Sequence, residues 1–426
     1  MSKLHNFLDL FKNPSTHKWF YGWIIVAVCF INLMVVFGVR LSFTVFFVTL
    51  IDEFGWTRAD TASIFSTTMI VFAASSTLAG IALDKWGARR TFGSGAAILG
   101  FGLLLSSQIN NTFQLAISYG VIVGLGITIL GLAPQASLIA RWFKLRRGTA
   151  IGIAFAGTGI GTLLFTPGTE YLIGAYDWRF AYIVLAILTF ATIPMIVTFM
   201  RQNPADLNLY PDGIATNIKN DINNQSTQLD WTMRQAVRTP AFWLLMIAAA
   251  GAIGPVRMLT VHQLAVMVEA GFERSYAAVF VGVSGAVTSV AFIILGTISD
   301  KVDRRLIYLI GSFSLISAIF VLNSLRSPTQ SEGLLLYAIL FGFGEGSRSS
   351  LVTAVASDLF PGNALGAING SVGAAFGLGA AILPWAAGLL YDQQGNYTNA
   401  FMITVFIVIV STFALWLAPL YSQQND

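Results

Sequence analysis

The chain has 426 residues, of which 55% are hydrophobic and only 10% charged, and its net charge is +4. Soluble domains carry about 25% charged residues, so a water-soluble core cannot absorb this apolar surface and lipid must cover it. A charge of +4 over this length, with its basic residues gathered in short loops, excludes a nucleic-acid partner.

Met1 to Lys18 is polar and basic, and the apolar segment after it outlasts a signal-peptide core, so a retained first helix is expected. That segment contains Cys29, the only cysteine, which rules out an intramolecular disulfide and any cysteine-based metal site. A membrane-crossing helix needs about 20 mostly apolar residues. Such runs lie at 20–49, 59–83, 89–108, 112–141, 147–173 and 179–200. Residues 201–239 are polar, with Pro204, Pro211 and the Asn/Gln-rich stretch Asn217 to Gln228, and read as a flexible linker. Further apolar runs follow at 241–269, 274–299, 305–325, 332–358, 364–391 and 397–420. The expected fold is an all-α integral membrane protein of twelve transmembrane helices, in six-helix bundles over 1–200 and 240–426.

Lys/Arg bias sets the orientation. With a cytoplasmic N-terminus, seventeen of the 24 basic residues fall inside. Arg58, Arg179, Arg274 and Arg326 fall outside, and Arg40, Arg257 and Arg348 lie within spans. Both termini are therefore expected in the cytoplasm. Trp19, Phe20, Tyr21 and Trp23, and Trp142 with Phe143, mark inner boundaries as interfacial aromatics do.

Features of the first half recur in the second at a nearly constant offset of half the chain. Gly80, Asp84 and Lys85 recur as Gly296, Asp300 and Lys301, Gly124 and Gly126 as Gly342 and Gly344, and Pro167 as Pro384. Six helices per repeat make both enter the membrane in the same sense, related by an axis along the membrane normal. A site between such halves is exposed alternately when one rocks against the other.

The loop GIALDKWGARR and its copy GTISDKVDRR, half a chain apart, resemble the major facilitator superfamily; the copy has Asp303 where the first loop has Gly87. Within it, RWFKLRRGTAIGIAFAGTGIG and LGAINGSVGAAFGLGAAILPWAAGLLYDQQGNYTNAF resemble the monocarboxylate transporter and oxalate–formate exchanger group. The resemblance implies small carboxylates as cargo and a cavity lined by helices one, four, seven and ten. It also implies that the loop residues Gly80, Asp84, Arg89, Arg90, Asp300, Arg304 and Arg305 switch conformation, the aspartates holding the halves together on the cytoplasmic side. One departure is that family members often carry an arginine on helix eight, whereas Ser275 to Ser299 holds no charge.

Ionisable groups within spans normally face a cavity or a partner, because an Arg near the bilayer centre costs about 2.5–3.5 kcal/mol on insertion scales. Arg40 and Arg257 are separated by the offset of the repeated prolines, so they occupy equivalent positions of the two halves. They are expected to face each other across the central cavity. Glu345 and Arg348 are three apart and read as neighbours on one helical face, a pair whose protonation frees Arg348 for an anion. His262 is a second candidate for proton coupling. Three arginines against one glutamate make the cavity electropositive and suited to a carboxylate. Asn32 and Gln135 are candidates for added hydrogen bonds to it.

GTGIG and GLG sit within apolar helices and read as packing glycines, not a dinucleotide loop. No ATP-binding loop, catalytic triad or metal-ligand spacing emerges, so no enzyme, cofactor or metal is expected. The reading is a secondary transporter importing small monocarboxylates with a proton, monomeric, in the plasma membrane (a bacterial inner membrane). The alternatives are an organic-anion exchanger, an efflux carrier or a transporter-like sensor.

Overall fold

The computed structural model describes residues 20–143, 146–213, 231–298, 302–327, 329–360 and 365–421. Among the described residues, nine helices are long and apolar enough to cross a membrane. Span one is Gly22–Phe54, four is Thr112–Trp142, six is Trp178–Phe199, seven is Pro240–Glu269, nine is Arg304–Ser324 and twelve is Thr398–Leu417. Span five lies in Arg147–Ala175, eight in Arg274–Ile298 and eleven in Leu365–Gln394.

The remaining three spans are hidden by interruptions. Arg58–Ser106 runs as 49 helical residues; a straight helix of that length would extend about 74 Å, more than twice the hydrocarbon thickness. It turns back at Gly87, whose φ of 77° favours a residue without a side chain. Thr91 Oγ1 accordingly donates to Ala82 O at 3.0 Å, nine residues behind it. Spans two and three are the two arms. In the second half the equivalent residue is Asp303, which instead caps span nine by accepting from the Arg305 N–H. Span ten is Ser331–Gly346 plus Ser349–Leu359, interrupted at Ser347 and Arg348. Span four breaks at the equivalent point of the first half, between Gly124–Ile129 and Leu132–Trp142. The twelve spans form two bundles of six.

The bundles meet through span two against eleven and span five against eight. Glycine lets these surfaces approach. A Cβ on Gly388 would meet the Arg58 backbone at 2.8 Å, and one on Gly377 would come 2.5 Å from that of Ala73. This close fit runs from the face opposite the linker to mid-depth. Toward the linker face, Gly80, Gly152, Gly370 and Gly373 have nothing within 4 Å of such an atom. The bundles are thus closed at the far face and parted at the linker face.

Charges seal the far face. Arg58, first residue of span two, is ion-paired with Glu269 at the end of span seven, and its Nη1 donates to Tyr397 Oη at 2.7 Å. Asp392 of span eleven accepts from the backbone N–H groups of Arg58 and Ala59 at 3.0 and 2.8 Å, capping a helix of the other bundle. Arg274, first residue of span eight, donates through Nε to Glu170 at 2.9 Å, and its Nη1 lies 3.6 Å from Asp52. Arg58 and Arg274 are mates under the half-chain offset, and so are Asp52 and Glu269, so the repeat relates the two latches. At the linker face, the ion pairs of the described residues each stay within one bundle: Arg141 with Asp84, Arg304 with Asp358, Arg305 with Asp303.

Loss of both latches is expected to shift the molecule toward closure of its linker face. In a Cys29→Ala background carrying spin labels at Gly80→Cys and Gly370→Cys, adding Arg58→Glu with Arg274→Glu should enlarge the short-distance population. An unchanged distance distribution would rule the latches out as determinants of state.

Candidate functional site

A cavity of about 160 Å³ lies between the bundles at mid-depth. Arg40 of span one, Arg257 of span seven and Glu345 of span ten supply its charged lining. Both arginines are more than nine-tenths buried, at 8% and 7% exposure, so neither reaches a headgroup. Arg257 Nη2 donates to Glu345 Oε1 at 2.9 Å, while Thr288 Oγ1, whose hydrogen goes to Ser284 O at 2.9 Å, lies 3.3 Å from Glu345 Oε2. Arg40 has a much poorer environment. Its Nη2 meets only the thioether sulfur of Met69 at 3.0 Å, a weak acceptor. Its guanidinium carbon lies 5.6 and 5.9 Å from the ring centres of Phe37 and Phe72. Among the described residues, Arg40 Nε and Arg257 Nε and Nη1 have no hydrogen-bond partner. Two cations and one anion leave this lining with one uncompensated positive charge and three idle guanidinium nitrogens.

The lining extends beyond spans one, four, seven and ten. Phe72 of span two, Phe155 of five, Phe292 of eight and Phe376 of eleven also face the cavity.

The expected Glu345–Arg348 pair does not form. Adjacency three residues apart presumes an unbroken helix, and span ten breaks between them. Arg348 is fully buried and turned into its own bundle, away from the cavity. It donates to Ala252 O (2.9 Å), Gly251 O (3.0 Å), Ser312 Oγ (2.9 Å) and Tyr308 Oη (2.9 Å). The reason lies on span seven, where Pro255 has no N–H to give the carbonyl four residues back, that of Gly251. Arg348 supplies the missing donor.

His262 is likewise remote from Glu345. It is fully enclosed, with Nδ1 2.8 Å from Tyr397 Oη and Nε2 2.8 Å from Pro384 O. A carbonyl only accepts, so Nε2 carries the proton and Nδ1 accepts from Tyr397, which in turn accepts from Arg58. The edge of His262 also meets Phe47 of the first bundle at 4.9 Å. It belongs to the far-face seal.

Asn32 and Gln135 are buried in the first bundle and are absent from the cavity lining. Gln135 Nε2 donates to Leu130 O at 2.6 Å, answering a carbonyl freed by the break in span four. Both amide atoms of Asn32 and Oε1 of Gln135 are unpartnered. Of the loop residues, Gly80 faces open space, Asp84 pairs with Arg141, Arg89 Nε donates to Met200 O at 3.2 Å and Arg90 is exposed. Arg304 and Arg305 pair with Asp358 and Asp303; hydrogen bonds from Arg305 hold the Asp303 carboxyl below the usual carboxylate range. Asp300 lies outside the described residues.

Sequence reasoning treated Arg58 and Arg274 as outer-loop charges and missed Glu170, Glu269, Asp392 and Tyr397. Their signal was available in the spacing, since Arg58 and Arg274 share the offset of the repeated loop.

The family model described as Major Facilitator Superfamily matches residues 28–331 and 315–425. Monocarboxylate transporter 12 of Xenopus laevis is 25% identical over 97% of this chain and 92% of its own length. Monocarboxylate transporter 2 of Mus musculus is 24% identical, over 92% of this chain and 82% of its own. The inward-open xylose transporter XylE from E. coli matches the fold with a TM-score of 0.73 at 13% identity, covering 93% of this chain and 95% of that one. A bacterial homolog to the human lysosomal transporter Spinster, inward-facing and unoccupied, gives 0.69 at 16% identity, covering 93% and 97%. The chain belongs to the Major Facilitator Superfamily and is an integral membrane transporter, not an enzyme.

Proposed function

We propose that this protein, as a monomer, imports small monocarboxylates with a proton by alternating access, its linker face lying in the cytoplasm of a bacterial cell. The observation that carries this reading is the convergence of Arg40 and Arg257 on one cavity, with Glu345 holding one arginine and nothing acidic holding the other. The monocarboxylate transporters among its relatives support the cargo class, and the excess of basic residues on the linker side supports the orientation.

The coupling follows from charge. With Glu345 ionised, an incoming carboxylate competes with it for Arg257. Protonating Glu345 breaks that ion pair and turns the idle donors of both arginines toward the anion, which a guanidinium grips through two parallel hydrogen bonds. The lining carries one positive charge when empty and deprotonated, and one again when it holds both proton and anion. A proton alone would leave two uncompensated cations in a low dielectric, a state that desolvation disfavours. Uncoupled proton passage is thereby suppressed. The glutamate of span ten therefore takes the role that sequence analysis gave to the pair with Arg348; Arg348 and His262 are structural in this scheme.

Three outcomes test it in proteoliposomes. Arg40→Gln and Arg257→Gln should each lower kcat/KM for short monocarboxylates on the order of 30-fold or more, the effect of truncating one partner of a buried charged contact. Uptake unchanged by both would exclude the anion site. Glu345→Gln should abolish stimulation of uptake by an inward proton gradient while anion exchange persists, and gradient-driven accumulation in this variant would remove the glutamate from coupling. Arg348→Gln should lower the unfolding temperature, since it strands the Gly251 carbonyl at about 1–3 kcal/mol, yet leave KM of the folded protein unchanged. A raised KM would return Arg348 to the anion site.

A further inference from the structure

Building on the carboxylate reading of the cavity, we infer that the carried anion is an aryl monocarboxylate, a single aromatic ring bearing one carboxylate on a short link. Five phenylalanines, Phe37, Phe72, Phe155, Phe292 and Phe376, line the cavity beside its three charged groups. The cavity measures about 160 Å³, and a dry apolar cavity of about 150 Å³ accepts one benzene molecule. Phe37 and Phe72 already flank the Arg40 guanidinium, so a carboxylate held there sets its organic group among these rings.

The hydroxyls in the lining are committed elsewhere. Thr158 donates to Phe155 O at 2.8 Å, Thr162 to Thr158 O at 3.0 Å and Thr288 to Ser284 O at 2.9 Å. Beyond the arginines, no donor in this set remains for a hydroxyl, an oxo group or a second carboxylate. An oxo group or a second carboxylate would therefore be desolvated without a donor. An aromatic ring meets the opposite conditions. It buries its area, its edges and faces pair with phenylalanine rings at about 0.5–1.5 kcal/mol per pair beyond that area, and its face suits the half-bare Arg40. The carboxylate is specified by the arginines and the ring by the phenylalanines.

The test is a set of dissociation constants for phenylacetate, cyclohexylacetate, acetate and succinate on the purified full chain, measured by calorimetry at acidic pH. Phenylacetate should bind at least tenfold tighter than acetate and more tightly than cyclohexylacetate, with succinate weaker than all three. Phe72→Leu and Phe376→Leu, each checked by its melting curve, should weaken phenylacetate about tenfold per ring removed and acetate by a clearly smaller factor. If acetate or succinate binds as tightly as phenylacetate, or cyclohexylacetate equals it, while Arg257→Gln abolishes that binding, the aryl assignment is overturned and the carboxylate site stands. If none of the four acids binds, or all bind Arg257→Gln as they bind the parent, the carboxylate reading itself fails and takes this inference with it.

Discussion

The cost of keeping a guanidinium group out of water governs this molecule. Three arginines are buried in its spans, and each must find acceptors inside the protein, because lipid offers none. Arg348 is answered by two backbone carbonyls and two hydroxyls, and Arg257 by the carboxylate of Glu345. Arg40 is answered by a sulfur atom and two ring faces. That inequality divides the three by role. A fully satisfied arginine fastens helices together, whereas in the proposed function one left short of acceptors stores affinity for an entering anion.

The same accounting explains the breaks. Pro255 on span seven frees the Gly251 carbonyl, and Arg348, at the interruption of span ten, fills it. In the other bundle the interruption of span four leaves the Leu130 carbonyl to the Gln135 side chain. The side chains at the equivalent breaks thus do different work: the cation of span ten repairs a carbonyl on span seven, and the amide of span four repairs one on its own span. The frame is symmetric and the polar groups set into it are not. The cavity inherits this asymmetry, since Arg40 and Arg257 occupy equivalent positions and only Arg257 has a carboxylate within reach.

How far the sequence could be read follows from which forces are local. Span positions were legible because lipid imposes an apolar run of fixed length, and the repeat made Arg40 and Arg257 legible as mates. The reversal at Gly87 was legible as a loop, since a glycine stands where φ is positive. The partner of Glu345 was not, because the spacing rule that joined it to Arg348 fails when the helix stops at Gly346. Arg348 could not be placed either. Pro255 announces an orphan carbonyl, but which side chain answers it depends on packing between spans that are far apart in the chain. The latch arginines went unread because a charge at the first residue of a span looks identical to a loop charge until the opposite bundle is laid beside it.

The latches and the cavity are carried by the same helices. On span one, Arg40 faces the cavity, Thr44 donates to Val261 O at 3.3 Å and Asp52 faces Arg274. On span seven, Arg257 faces the cavity, His262 holds the seal and Glu269 pairs with Arg58. The stretch from Arg40 to Asp52 equals that from Arg257 to Glu269, about 18 Å of helix in each case. Span seven is unbroken over this stretch, whereas span one is interrupted at Ser42, between Gly22–Leu41 and Phe43–Phe54. In the proposed cycle, drawing Arg40 and Arg257 onto a common anion pulls span seven as one helix and span one through its joint at Ser42, and both carry latch carboxylates at their far ends. In that cycle a change at mid-depth would reach the far face along the two spans themselves, at matching positions of the repeat.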